Sequence, residues 1–345
     1  MKKLLAGSPG VALSLALAVP AWLLGKLVPV VGAPIFAIVA GMALSFLRRP
    51  AVLEAGIRFT GKRVLQYSIV FLGFGLDLGV VARVGGQSLA VMLFTLTAAF
   101  VTAFLAGRAL RLDGNLTILI GVGTSICGGS AIAAAAPVIQ ASDEDITFAV
   151  STIFLFNIVA VFLFPALGHL MRMSEGAFGL WAGTAINDTS SVVAASFSYG
   201  DAAGRFATVV KLTRTLMIIP ITFGLAFLRG RAARAAGPGA GRPPAGDAPR
   251  AAGAVGRVHI VKIVPWFVLG FLAASLVRSL AVIPAAADPA LNDVGKFGIS
   301  VAMAAIGLNA NPTKLLRNGV RPILLGLACW AAVAVVSLAV QAAGI

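Results

Sequence analysis

The chain has 345 residues, of which 59% are hydrophobic and only 11% are charged. A soluble domain is about 45–50% apolar and roughly 25% charged, so this composition excludes a soluble enzyme and a disordered chain and indicates a polytopic membrane protein. The net charge of +15 would suit nucleic acid only if the basic residues shared one accessible surface, and membrane topology accounts for them better.

Eleven apolar segments are predicted to cross the membrane as helices, because a span needs roughly 20 apolar residues. They are residues 8–25, 28–47, 65–82, 88–107, 116–138, 147–171, 177–199, 206–228, 263–283, 295–311 and 322–343. Residues 1–25 could instead be a signal peptide. The stretch 48–64 contains five basic residues and is predicted to be an interfacial segment or loop.

All spans are predicted to form one membrane domain, divided by a linker. Spans 1–8 lie in residues 1–228 and spans 9–11 in residues 259–345. Residues 229–258 are rich in Ala, Gly, Pro and Arg, a composition that cannot build a core and predicts a flexible cytoplasmic linker.

The distribution of basic residues predicts the orientation. With a cytoplasmic N-terminus, 20 of the 27 Lys and Arg residues lie inside, among them Arg172, and 5 lie outside. This bias predicts that the N-terminus lies inside and the C-terminus outside, and it places the acidic loop 143–145 outside. If span 1 is set aside, spans 2–6 and 7–11 are two groups of five with opposite orientation. An odd number of spans per group inverts the second group relative to the first, as in the inverted repeats of secondary transporters.

Span 5 contains an unusual run of small and polar residues, GVGTSICGGSA at 121–131. Glycine in a helix interior costs about 1 kcal/mol per residue, so this run predicts a broken helix that lines a cavity. The N–H groups at a half-helix N-terminus would then be available to an anion. Close packing through small residues is the alternative. The candidate substrate-binding residues here are Thr124, Ser125, Cys127, Gly128, Gly129 and Ser130.

Span 7 repeats this pattern at a constant offset of 60 residues, for example Gly123/Gly183 and Ser130/Ser190. Both spans run from inside to outside in the predicted topology, so they are expected to be parallel and not equivalent members of an inverted repeat.

Asp188 lies near the middle of span 7. An intramembrane carboxylate is costly, which makes Asp188 the candidate site for a coupling ion, H⁺ or Na⁺. Capping of a broken helix end is the alternative. Asn187, Thr189 and Ser190 are further candidate binding residues.

Lys211 and Arg214 lie about one and two turns inside span 8 and share a helix face. Arginine offers forked donors and lysine a point charge, so the pair is a candidate oxyanion site with Asp188 as a counter-charge. Snorkelling to the outer interface is the alternative. The last candidate binding residue is Asn309 in span 10, in a Gly-Leu-Asn sequence that resembles Gly-Leu-Asp at 75–77.

No catalytic chemistry is predicted. The two cysteines have no metal-ligand spacing, and the chain lacks a Gly-x-Ser-x-Gly sequence, a phosphate loop and a zinc motif. We therefore expect neither an enzyme nor a bound metal or cofactor.

Several segments resemble one family, the YeiH-like conserved hypothetical proteins of bacterial inner membranes, to which sulfate export is ascribed. The segments are residues 123–128, 135–138, 183–195, 211–214 and 303–308. The resemblance covers nearly the whole chain and implies a bundle related to cation–proton antiporters and anion transporters, with spans 5 and 10 as its discontinuous, crossing pair. Family members often carry a histidine where this chain has Asn187, which argues against a histidine-based proton relay.

Together these features predict a secondary transporter that exports a small anion, sulfate or a related sulfur oxyanion, by alternating access. An anion channel and a structural or regulatory protein that transports nothing remain as alternatives. The expected partners are the anion, the coupling ion and membrane lipid, whereas nucleic acid is not expected. The sequence is compatible with a homodimer.

Overall fold

The computed structural model describes residues 8–29, 31–47, 49–235, 265–310 and 319–344, and every regular element within these residues is helical. Six of the described helices are long and apolar enough to cross a membrane. They are Ser8–Leu27, Leu78–Ala109, Asp143–Leu170, Asp201–Leu228, Asp288–Asn309 and Val320–Ala342. The predicted class, an all-helical polytopic membrane protein, is therefore confirmed for the described part of the chain.

One group of helices packs around the first two. It contains α1 (Ser8–Leu27), α2 (Ala33–Ser45), α3 (Ala51–Phe59), a π-helical turn (Thr60–Val64), α4 (Leu65–Gly73), α13 (Trp266–Ser279) and α14 (Asp288–Asn309). Helices α2 and α14 cross closely because glycines meet at the crossing. A Cβ added at Gly41 would lie 2.7 Å from the amide nitrogen of Leu308. We call the side of the bundle where α1 begins the N-terminal side, and the side where α1 ends the C-terminal side.

The second group contains the remaining described helices. They are α5 (Leu78–Ala109), α6 (Gly114–Ser125), α7 (Gly129–Ile139), α8 (Asp143–Leu170), α9 (Glu175–Ala185), α10 (Thr189–Tyr199), α11 (Asp201–Leu216), α12 (Ile218–Ala235) and α15 (Val320–Ala342). Helix α12 continues to Ala235, past residue 229 where the linker is predicted to begin. Residues 236–258 of the predicted linker lie outside the described residues.

Of the two alternatives predicted for 48–64, the loop is wrong for residues 51–64, which are helical and lead directly into α4, and the interfacial segment stays a prediction. Arg58, Lys62 and Arg63 are exposed, whereas Ile57 and Thr60 are buried against the bundle. The charges therefore occupy one face of a helix, and a hydropathy window averages the two faces.

Predicted span 3, residues 65–82, contains a helix break. Helix α4 ends at Gly73, and α5 begins at Leu78, ten residues before predicted span 4. Asp77 is the N-cap of α5, since its Oδ1 accepts a hydrogen bond from the Gly79 N–H at 2.7 Å. Its side-chain hydrogen bond with Ser279, followed by the bond from Gly79, holds the pKa of Asp77 below its usual value. The capping residue thus marks the break that the apolar pattern conceals.

Candidate functional site

Helices α9 and α10 form a re-entrant hairpin, hairpin 2 (residues 175–199). Glu175 at the start of α9 accepts a hydrogen bond from the N–H of Ala203, just beyond α10, at 2.9 Å. Tyr199 at the end of α10 donates to the carbonyl of Met173 at 2.5 Å, and its ring stacks on Phe178. The two ends of the segment therefore meet. Predicted span 7 does not cross the bundle, because its chain turns back at Ile186–Asp188.

The base of hairpin 2 lies on the C-terminal side. One cavity is lined both by Lys26, at the end of α1, and by Asp201, which follows hairpin 2. Helix α8 ends beside the same base, where the rings of His169 and Tyr199 stack. Its 28 residues extend about 42 Å, so Asp143 at its start lies on the N-terminal side.

Helices α6 and α7 form a second hairpin, hairpin 1 (residues 114–139), which enters from the N-terminal side. Helix α5 runs parallel to α11 from the C-terminal side, because Val80 and Arg205 line one pocket and Gly85 adjoins Thr213. Its 32 residues therefore end on the N-terminal side, where α6 begins. Hairpin 1 then ends where α8 begins, on that same side. Accordingly, a Cβ at Gly123 would lie 2.9 Å from the Ile132 side chain, although nine residues of straight helix extend about 13.5 Å.

These hairpins correct four predictions. Spans 5 and 7 are not single crossings. The acidic residues 143–145 lie on the N-terminal side, together with the start of α1, and Arg172 lies on the C-terminal side. The discontinuous partner of span 5 is span 7 and not span 10, since α14 is unbroken from Asp288 to Asn309. Apolar segments of this length are compatible with either a crossing or a hairpin, which is why the sequence pattern favoured the simpler topology.

The offset of 60 residues now has a structural counterpart. Helix α6 (Gly114–Ser125) corresponds to α9 (Glu175–Ala185), and α7 (Gly129–Ile139) corresponds to α10 (Thr189–Tyr199). The long helices before them, α5 and α8, end at Ala109 and Leu170. The two hairpins enter from opposite sides, so the prediction that these segments are parallel is wrong. The error came from treating each hairpin as one span.

Lys211 joins the two hairpin tips. Its ammonium donates to the carbonyl of Ile126 at 2.8 Å and to the carbonyl of Ile186 at 3.0 Å. Both carbonyls belong to the last turn before a helix break, where backbone acceptors lack intrahelical donors and the helix dipole is negative. The side chain has no exposed surface, so it does not snorkel to the interface.

Arg214 joins the same tips by a different set of carbonyls. Its Nε donates to Ser125 at 2.7 Å, its Nη1 to Ile186 at 3.2 Å, and its Nη2 to Thr124. Its side chain is also fully buried. No acidic side chain among the described residues forms an ion pair with either cation. The backbone carbonyls, and not Asp188, are their direct partners.

Asp188 caps the N-terminus of α10. Its Oδ2 accepts hydrogen bonds from the N–H groups of Ser190 at 3.0 Å and Ser191 at 3.4 Å, and from the Ser190 hydroxyl. Its own N–H donates to Asn157 Oδ1 at 3.1 Å. The capping alternative thus describes the observed geometry, and a coupling role for the same carboxylate stays a prediction.

Helix α7 has no such side-chain cap. Its N-cap is Gly128, with φ +69° and ψ −126°, a conformation that L side chains rarely adopt. Gly129 and Ser130, which follow, are exposed about 15 Å from the N-terminal side of the bundle. Free N–H groups at this depth need water or a ligand. The start of α7 is therefore the open polar end of the site.

Two predicted residues next to the cations hold buried polar atoms without partners. Within the part of the chain that the structure describes, both amide atoms of Asn187 lack a hydrogen bond, and so does the hydroxyl of Thr124. Cys127 lies at the tip of hairpin 1 and is buried. Asn309, by contrast, is exposed near the end of α14 and makes no hydrogen bond to either tip among the described contacts.

Asn157 is the functional candidate that the sequence analysis missed. It lies on α8, is only 3% exposed, and its Nδ2 would lie 3.7 Å from a Cβ at Gly128. It therefore touches the tips of both hairpins. A lone amide in the middle of an apolar span was visible in the sequence, but only the fold brings it to Asp188.

Comparisons with known proteins place the chain among membrane proteins. A family model described as "Conserved hypothetical protein 698" matches residues 9–326. A UPF0324 membrane protein of Streptococcus pyogenes serotype M6 is 46% identical over 342 residues, covering 96% of each chain. A UPF0324 membrane protein of Fusobacterium nucleatum is 40% identical over 353 residues, again covering 96% of each. The names of these relatives give no substrate, and no solved structure matches the chain.

Proposed function

The chain belongs to the Conserved hypothetical protein 698 family of multi-pass membrane proteins, and we propose that it is a secondary transporter that exports a small anion by alternating access. The substrate is sulfate or a related sulfur oxyanion. One observation carries the proposal: two re-entrant hairpins from opposite sides meet at two fully buried cations. Discontinuous helices that meet near the midplane are the usual construction of transporter sites.

The charge of the tips supports an anionic substrate. Lys211 and Arg214 contribute two positive charges, and Asp188 is the single carboxylate of the two tips. A lysine has three donors and an arginine five, whereas these two use two and three. One ammonium and two guanidinium donors are therefore left over, close to the uncapped start of α7. These groups suit the oxygens of a small oxyanion.

The hairpins also support an inverted repeat, in which α5 with hairpin 1 is equivalent to α8 with hairpin 2. This unit replaces the predicted grouping of five and five spans.

The N-terminal side is cytoplasmic. Moving Arg172 to the other side changes the predicted distribution of Lys and Arg to 19 inside and 6 outside, which is still a strong bias.

The transporter hypothesis is tested with purified protein in liposomes. A thermal-shift panel of small anions identifies ligands, because a ligand of the folded state raises the unfolding temperature. Labelled sulfate should then show saturable uptake and counterflow. A channel passes sulfate without counterflow, and a structural protein gives neither a shift nor a flux, so either result would overturn the proposal.

Asp188 is the proposed coupling residue, and Asp188→Asn separates this role from capping. The amide oxygen keeps the cap of α10, so stability should change little, by less than about 1 kcal/mol. Flux should lose its dependence on pH or Na⁺ while sulfate binding survives. Ser174→Asn, which changes the cap of α9 at the surface, is the matched control. A folded Asp188→Asn protein with unchanged coupling would exclude the role.

A further inference from the structure

The cavity beside the base of hairpin 2 carries charged side chains and lies on the C-terminal side, at a distance from the hairpin tips. Its volume is about 320 Å³. Its walls come from the end of α1, the start of α2, the base of hairpin 2 and the middle of α14. Trp22, Phe197 and Ile299 provide apolar surface, and Lys26, Lys296 and Asp201 provide charge.

Among the side chains that line the cavity, one positive charge is in excess, and the carboxylate of Glu175 lies behind the wall at Gly200. Lys296 Nζ lies 2.6 Å from Asp201 Oδ2, so these two groups neutralise each other. Lys26 forms no ion pair within the described residues, and its ammonium lies 5.7 Å from the centroid of the Trp22 ring. An apolar pocket with one uncompensated cation at its mouth favours a small anion over a cation.

The cavity opens onto a seam between the two helix groups. This seam is the contact of α10 with α2 and α14, and it lies between the cavity and the hairpin tips. At the top of this seam, a Cβ added at Gly32 would lie 3.1 Å from the Ser198 Cβ. Asp188 at the tip of hairpin 2 is ten residues from Ser198, a distance of about 15 Å along the helix. The seam therefore connects the cavity with the tips.

We propose that this cavity binds a small anion at the C-terminal mouth of the transport route, with Lys26 and Lys296 attracting the anion and Asp201 opposing it. The position of the site on a transport route rests on the proposed function, whereas anion binding in the cavity can be measured without transport. The Lys296–Asp201 pair connects α14 with α11. If the pair is only structural, removal of either charge should have the same effect on the cavity, whereas an electrostatic role predicts opposite effects for the two removals.

The test measures the reaction of a cysteine at the cavity with two thiol reagents of opposite charge. Pro29 lines the cavity and is exposed, so Pro29→Cys provides the thiol. The native Cys127 and Cys329 are buried and contribute only background. The reagents are 2-sulfonatoethyl and 2-trimethylammonioethyl methanethiosulfonate. Val282→Cys, 67% exposed on the same side, is the reference position.

We expect the anionic reagent to be favoured at Pro29→Cys relative to Val282→Cys, and added sulfate to slow its reaction. The measured quantity is the ratio of the reaction rate with the anionic reagent to the rate with the cationic reagent. Removal of one charge a few ångströms from the thiol should change this ratio about threefold. Lys26→Gln and Lys296→Gln should lower the ratio, whereas Asp201→Asn should raise it. Arg278→Gln and Asp288→Asn alter an ion pair of 2.8 Å on the same side but outside the cavity, and should leave the ratio measured at Pro29→Cys itself unchanged.

Two results would overturn the proposal: a ratio equal to that at Val282→Cys, or a shift in the same direction for Lys296→Gln and Asp201→Asn. The second result is the signature of a structural pair. The flux assay of the parent protein is independent of this test. Charge-dependent labelling without sulfate flux would retain the site and reject the transporter, whereas flux with equal labelling would do the opposite.

Discussion

Lys211 and Arg214 show how far single residues can be understood from the sequence. Their position within an apolar segment predicted a polar site inside the membrane. Their partners could not be predicted, because the carbonyls they contact lie 85–90 residues earlier for hairpin 1 and 25–28 residues earlier for hairpin 2. Every residue has a backbone carbonyl, so the sequence cannot show which carbonyls accept these hydrogen bonds, whereas it does show the carboxylate of Asp188. From the sequence alone, Asp188 is therefore the expected counter-charge.

Arg214→Lys should destabilise the protein. A single ammonium cannot reach Ser125, Ile186 and Thr124 together, and each buried carbonyl left without a donor costs about 1–3 kcal/mol. Thermal unfolding in detergent measures the effect, with the exposed Arg83→Lys as control. Equal stability of the parent and both variants would show that the carbonyls find other donors.

Gly128→Ala should be destabilising, whereas Gly129→Ala should be close to neutral. Gly128 has φ +69°, and a side chain in this conformation costs about 1–3 kcal/mol. A Cβ at Gly129 would meet no atom within 4 Å, at the first position of α7. The same unfolding measurement compares the two. Similar values for both alanine variants would mean that the tip of hairpin 1 adopts another backbone conformation.

At the scale of elements, glycines and capping residues were more informative than apolar length. The glycine run predicted the break in span 5, and the structure has it at Ile126–Gly128. For span 7 the sequence offers a broken helix end only as the alternative role of Asp188, and the structure has the break at Ile186–Asp188. The directions of α6–α7 and α9–α10 depend on which distant helices they touch. Glu175 and Tyr199, which close the base of hairpin 2, do so through contacts that a hydropathy profile does not contain.

Cysteine labelling distinguishes hairpins from crossings. With hairpins, Arg111→Cys and Glu144→Cys should react with an impermeant thiol reagent from the same side of the membrane. Arg172→Cys and Ala202→Cys should react from the other side. Right-side-out and inverted vesicles provide the two conditions, and two crossing spans would instead separate the members of each pair.

At the scale of the whole molecule, the two hairpins differ in their neighbours. Hairpin 2 packs through α10 against α2 and α14, whereas α7 of hairpin 1 contacts only helices of its own group among the main described contacts. Among the described residues, the tips are therefore covered on the C-terminal side by α2 and α14, whereas Gly129 and Ser130 are exposed on the other side. In the proposed transporter this arrangement corresponds to a state open to the N-terminal side. Sequence patterns cannot distinguish such states, because both use the same helices with the same buried faces.

A disulfide between Gly32→Cys and Ser198→Cys should hold the two helix groups together and stop sulfate flux. The Cβ atoms would start about 3.1 Å apart, slightly less than the 3.5–4.5 Å of a disulfide. Gly32 has φ +74°, so Gly32→Cys by itself should cost about 1–3 kcal/mol, and the reduced double variant is the reference for flux. Oxidation should inhibit the double variant, reduction should restore it, and each single variant should be insensitive. Full activity of the oxidised double variant would show that these groups need not separate.

The contacts of Lys211 and Arg214 also set an order of events during synthesis. The carbonyls at the tip of hairpin 1 leave the ribosome 85–90 residues before the donors that they contact in the finished protein. Unpaired carbonyls are costly in hydrocarbon, so the nascent hairpin has to stay in a hydrated place, in the insertion machinery or at the membrane surface, until α11 arrives. Both hairpin tips therefore gain these donors at the same time, when α11 is inserted, although hairpin 1 has waited longer. In a nascent chain released before residue 211, the carbonyls of this hairpin would have no lysine or arginine donors. Such a chain should therefore be recognised as unfolded and degraded.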